Sequence, residues 1–163
     1  MNRSKNPKDT RTRNWISKVA KSVVSPNPGF EKAHIKRLDF SPQSLTALDE
    51  IIWTLFGGRY LCKTKLEALV WGFGGYVAEV IQRNNEGFWK KATNRYTFEF
   101  TRVGKITGFG VNPWAWIYKR FQEGDLLATK YKQLIKIAKQ FCKASASGDF
   151  QKGIRAPRAA NNR

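Results

Sequence analysis

Apolar positions along the middle of the chain recur at two periods, and each change of period marks a change of element. Leu45, Leu48, Ile51, Ile52 and Leu55 fall three or four residues apart, the spacing of one helix face. Ser41-Pro42 reads as an N-cap followed by proline at the first helical position, and Gly57-Gly58 stops the run. Thr64, with Glu67 three residues later, forms a capping box for a second helix from Lys65 to about Arg83. Its residues Leu66, Leu69, Val70, Phe73, Val77, Val80 and Ile81 make one apolar stripe. Ala68, Gly72, Gly75, Glu79 and Arg83 make a second stripe, roughly opposite. Gly72, Gly74 and Gly75 each cost about 1 kcal/mol in a helix relative to alanine. Such a run is expected where another element approaches closely, so both sides of this helix should be covered, with Gly72, Gly75, Glu79 and Arg83 forming a structural groove. Glu79 and Arg83 stand four apart and can pair, although a buried acid held by another element fits the same place.

The period then drops to two. Phe88-Trp89-Lys90 predicts a short strand, and Tyr96, Phe98 and Phe100 alternate with Thr97, Glu99 and Thr101. Val103-Gly104-Lys105 reads as a turn into a return strand over Ile106 to Val111. Helical spacing resumes at Asn112-Pro113 and runs through Trp114, Trp116, Ile117 and Phe121 to a stop at Gly124. The last predicted helix extends from about Leu126 to Lys143, with Leu127, Tyr131, Leu134, Ile135, Ala138 and Phe141 on its apolar face. The prediction is one α+β domain over 38–143: two N-terminal helices, a short antiparallel meander and two C-terminal helices. A flexible basic arm over 1–37 and a basic disordered tail over 144–163 flank it, since 144–163 shows no apolar periodicity.

Charge sharpens this division. Residues 1–37 hold ten Lys/Arg and two Asp/Glu, 144–163 hold four and one, and 38–143 hold sixteen and nine, within a net charge of +18. Cationic ends of this kind point to an anionic partner. Within the arm, Thr12 to Val24 predicts a short helix with Trp15, Ile16, Val19 and Val23 on one side and Arg13, Lys18 and Lys21 adding charge. Ser25-Pro26-Asn27-Pro28-Gly29 ends it. Such a helix can lie on an anionic membrane or on nucleic acid, or its apolar side can pack back on the body; the residues leave both open.

Candidate binding residues follow from the same charge. Lys132, Lys136, Lys139 and Lys143 cluster within about 60° on the last helix, where phosphates would relieve their mutual repulsion. Arg11, Arg13, Lys18 and Lys21 in the arm, with Arg155 and Arg158 in the tail, complete the anion-binding set. Trp15, Trp114 and Trp116 are candidate interaction anchors, tryptophan being enriched at hot spots. Trp89-Lys90-Lys91 and Arg95-Tyr96 suggest base stacking, but a core needs the strand aromatics more.

Several chemistries lack their residues. Gly104-Lys105-Ile106-Thr107 is no phosphate loop, because Glu99 holds the place of the first glycine and Ile106 follows the lysine. The glycines of Trp71-Gly72-Phe73-Gly74-Gly75 sit inside a helix and are no dinucleotide fingerprint. His34 is the sole histidine, and Cys62 and Cys142 form no metal-ligand spacing, so no metal, cofactor or catalytic residue is assigned. Two separated cysteines fit reduced thiols, the absence of an apolar run of 18 gives no membrane span, and the basic start lacks a signal-type apolar region, so a cytoplasmic location is expected.

The segment Gly75-Tyr76-Val77-Ala78-Glu79-Val80-Ile81-Gln82-Arg83 resembles a motif of a family of small bacterial α+β domains of unknown function, Leu-Gly-x-Tyr-x-Gly-Glu-Val-Ile-x-Arg. Asn112-Pro113-Trp114, Lys119-Arg120-Phe121 and Gly124 are similar to that family's later block, so the resemblance spans roughly Leu38 to Gln140. Ala78 departs from the motif's second glycine. The resemblance implies a small α+β fold and no catalytic residues. The reading is therefore a non-enzymatic module docking on nucleic acid or a ribonucleoprotein. An acidic protein assembly is the alternative partner, or an anionic membrane reached through the N-terminal segment.

Overall fold

The computed structural model describes residues 7–25, 32–57, 59–91, 98–101 and 110–146. Along them run α1 (Pro7–Val23), α2 (Lys32–Lys36), α3 (Ser44–Phe56), α4 (Lys63–Asn84), β1 (Phe88–Lys91), β2 (Phe98–Thr101), β3 (Gly110–Val111), α5 (Pro113–Glu123) and α6 (Leu127–Ala146). The architecture is α+β and mostly helical. Its sheet is antiparallel in the order β1-β2-β3, with Trp89 opposite Phe100 and Phe100 opposite Val111. The connections of the meander, including Arg95, Tyr96, Gly104 and Ile106, lie outside the described residues.

Two helices precede α3: α1 is the helix expected over Thr12 to Val24, begun earlier at Pro7, and α2 was not expected; α1 packs back on the body, which corrects the picture of a flexible N-terminal arm. Ile16 and Ala20 of α1 are fully buried. Their side of the helix packs on the glycine-bearing side of α4. A Cβ at Gly75 would stand 2.5 Å from Val19 Cγ1, closer than any real contact, so the bare backbone lets the two helices approach. Gly74 faces the other way, where a Cβ would meet Trp114 Cδ1 at 2.4 Å. One helix is thus clasped between α1 and α5 through adjacent glycines.

Polar contacts fix α1 further. The Ser17 hydroxyl donates to Glu79 Oε2 at 2.8 Å, and the Trp89 amide donates to Asp9 Oδ1 at 2.8 Å. Arg13 pairs with Asp9 at 2.8 Å and donates to the Gly87 carbonyl. A basic sequence that reads as an arm is therefore tied to the body by its own polar residues.

Of the two capping patterns at the N-terminal helices, one forms ahead of the helix proper and the other does not form. Ser41-Pro42 lies one turn ahead of α3. There Ser41 Oγ accepts from the Ser44 amide at 3.2 Å, the capping bond expected of it, and Ser44, Leu45 and Thr46 donate to the carbonyls of Ser41, Pro42 and Gln43 at 3.1, 3.3 and 3.1 Å, a tight lead-in to the α-helix. The α4 helix begins at Lys63 after extended backbone at Cys62 and has no side-chain cap, so Thr64 is already inside it. At α5 the expectation holds: Asn112 Oδ1 accepts from the Ala115 amide at 3.1 Å, Pro113 opens the helix, and Gly124 closes it at φ 76°.

The core collects Leu45, Leu48, Ile51, Tyr76, Val77, Val80, Ile81, Phe100, Trp114, Ile117 and Leu127. Trp114 is its aromatic hub, with the rings of Trp15, Trp71 and Trp89 centred 6.2, 5.9 and 6.0 Å away. Phe40 adopts a left-handed φ of 63°. Its amide donates to the Tyr76 hydroxyl at 3.1 Å, its ring stacks on Tyr76 at 4.9 Å, and the Arg83 guanidinium lies 4.2 Å from that ring's centroid. Such overdetermined contacts offset the cost of the conformation.

Candidate nucleic-acid interface

On α6, Leu127, Tyr131 and Leu134 are buried where the helix packs on α3 and α5. Helical geometry then turns Lys132, Lys136 and Lys139 outward, and all three are exposed. No acid occurs between Leu126 and Ala146. Lys130 is engaged by Asp125 at 2.7 Å, whereas Lys132, Lys136 and Lys139 form no ion pair among the described residues.

Beside these lysines runs a groove with a volume of about 660 Å³. Pro42, Gln43 and Thr46 form one wall; Ala128, Tyr131 and Ile135 give it an apolar floor under a lysine rim. The Tyr131 hydroxyl accepts from Asn85 Nδ2 at 3.1 Å, and burial raises its pKa above the usual tyrosine value.

The start of α6 is held by Asp49 of α3, a residue the apolar pattern did not single out. Oδ1 accepts from Arg120 Nε at 2.9 Å and from the Leu127 amide at 3.2 Å, and Oδ2 accepts from the Ala128 amide at 3.2 Å. These amides are among the donors a helix start leaves without intrahelical partners. Burial pushes the Asp49 carboxyl above the ordinary carboxylate range, against the amides of Leu127 and Ala128 and the Arg120 charge, which pull it down. The signal was present in the spacing: of the adjacent acids Asp49 and Glu50, Asp49 is the one that falls beside the apolar stripe of α3.

Other candidates are distributed differently. Arg11, Lys18 and Lys21 are exposed on α1, which packs on α4 and β1 rather than on α6. Arg13 is half-buried and committed to Asp9, to the Gly87 carbonyl and to the Phe100 ring, 5.8 Å from its centroid. The Lys143 side chain, Arg155 and Arg158 lie outside the described residues. Trp114 is fully buried, which corrects its assignment as a surface anchor, and Trp116 is half-buried against the core. Trp15 keeps 37% of its surface exposed and meets Trp71 edge-on at 5.8 Å. Trp89, buried in the core, offers no face to a base.

Glu79 is only 3% exposed and accepts from Ser17, Gln82 and Arg83, the last at 2.6 Å. Its two readings merge: it pairs along its own helix and is also held by a neighbouring element. Gly72 is less crowded than Gly75, a Cβ there meeting Val23 Cγ2 at an ordinary 3.5 Å. Among the described residues no group of three His, Cys, Asp or Glu is placed to hold a metal ion, and no helix is long and apolar enough to cross a membrane.

No protein-family model, curated protein or solved structure matches the chain.

Proposed function

We propose that this protein is a non-enzymatic binding module that docks on nucleic acid or a ribonucleoprotein through the lysine-rimmed groove of α6. The observation that carries the reading is the alignment of Lys132, Lys136 and Lys139 on a helix without acids, none of the three paired among the described residues. Like charges four apart destabilise a helix, and phosphates on that face remove the penalty while releasing counterions. The groove volume lies within the roughly 300–1,000 Å³ range of ligand sites. Its apolar floor suits the sugar and base edges of a strand whose phosphates meet the lysines. The basic terminal segments add affinity without sequence information.

Fluorescence anisotropy of the full chain with labelled RNA and DNA at rising salt tests this. Log affinity is expected to fall linearly with log salt, and Lys132→Glu/Lys136→Glu/Lys139→Glu to flatten the slope by about one per lysine. Absent or salt-independent binding to both nucleic acids overturns the reading. An acidic protein assembly is the second reading, favoured by the same floor, because Ala128, Tyr131 and Ile135 offer a seam to an amphipathic helix with acidic flanks. A partner that co-purifies after nuclease treatment would select it.

A further inference from the structure

The chain at the corner joining α3 to α4 brings a second set of cations, bounded in sequence by Glu50 and Glu67, that shares no residue with the α6 groove. Residues 51–66 contain Arg59, Lys63 and Lys65 and no acid. Two aromatics in this stretch face solvent: Trp53 is 67% exposed and Tyr60 95%. The placement of Trp53 follows from helix geometry, since Leu48, Ile51 and Ile52 take the inward side of α3 and the next residue projects away. Its neighbour Phe56 goes to the interior, where it meets the rings of Phe73 and Phe121 at 6.3 and 6.0 Å.

The exposed indole is positioned by the chain that follows. The Gly57 amide donates to the Trp53 carbonyl at 2.8 Å, and a Cβ on Gly57 would stand 3.0 Å from Trp53 Cδ2 and Cε3. One side of the ring therefore rests against backbone, which leaves the remainder open. Lys65 Nζ sits 6.0 Å from the Phe56 ring centroid, which anchors one of the three cations at this corner.

We propose that this corner is a stacking platform for single-stranded nucleic acid, with Trp53 and Tyr60 taking unpaired bases while Arg59, Lys63 and Lys65 hold the phosphates. It rests on the nucleic-acid reading above and narrows the ligand to strands whose bases are free. Every base has a π face, so such a platform tolerates any sequence, whereas a duplex keeps its bases stacked on one another and gains nothing from the rings.

The test compares a labelled single-stranded oligonucleotide with its blunt duplex, using the full chain. Trp53→Ala and Tyr60→Ala are each expected to weaken single-strand binding roughly ten- to hundredfold, leaving duplex affinity and the salt slope unchanged. Trp53→Phe keeps a ring and should recover part of the loss. Both sites are exposed, and unchanged thermal midpoints would show that the variants fold. If both alanine variants bind the single strand like the parent while the α6 lysine variant loses affinity, the platform is wrong and the groove reading survives. Equal losses on single strand and duplex also overturn stacking. If the parent binds neither nucleic acid, both readings fall.

Discussion

Asp49 joins three helices through one carboxylate, accepting from Arg120 of α5 and from the first two amides of α6. Removing one member of a buried ion pair leaves the other charge uncompensated, at about 3–5 kcal/mol. Urea unfolding of Asp49→Ala should show a loss of that size. Asp49→Leu/Arg120→Met should lose less than Asp49→Leu alone, because the double change leaves no stranded charge. The pH sense of this site follows from its raised pKa. The folded state holds the Asp49 proton more readily than the unfolded chain. Its contribution is complete below the unfolded value and is lost as pH rises through the folded one. Asp39, lowered chiefly by the Ser41 hydroxyl, acts oppositely, contributing above its unfolded value and losing that contribution as pH falls through the folded one. Periodicity could mark Asp49 as an anomaly within an apolar stripe but could not supply its partner, 71 residues away.

At the scale of elements, α4 shows why neighbouring glycines need not be equivalent. Gly74→Ala would drive a methyl into the indole of a fully buried Trp114, and overpacking of this kind costs about 1–3 kcal/mol. Gly72→Ala meets only an ordinary contact with Val23 and should stabilise by up to about 1 kcal/mol through helix propensity. Thermal denaturation of the two variants should therefore move in opposite directions. The helical stripes of α3, α5 and α6 were legible because each buries one face at regular spacing, and α4 because its two opposed stripes foretold cover on both sides. The Ser41 cap was legible too, although a tight turn separates it from α3 proper; the start of α4 was not, because that helix opens without a side-chain cap. The lysine face was legible as well, but its groove was not, because Pro42, Gln43 and Thr46 come from a distant part of the chain.

For the whole molecule, charge proved a poor guide to which segments pack. The first 37 residues are strongly basic, yet α1 buries Ile16 and Ala20 and sends Ser17 to Glu79. Arg11, Lys18 and Lys21 sit on the exposed side of a helix whose inner side completes the core. Deleting residues 1–25 should therefore lower the thermal midpoint clearly, as well as removing charge; a truncated protein melting like the parent would contradict this packing. Neutralising Arg11, Lys18 and Lys21 in the full chain should leave the midpoint nearly unchanged.

The contacts of Asp9 and Arg13 have a consequence for solubility. β1 is the outermost strand of the sheet, and the Trp89 amide and Gly87 carbonyl at its open margin are occupied by these two side chains. Unsatisfied groups there would form a template onto which a foreign strand could zip. By filling those positions, the first helix leaves a foreign strand two fewer backbone groups to pair with, so charge-removing changes at Asp9 and Arg13 are expected to raise light scattering on storage.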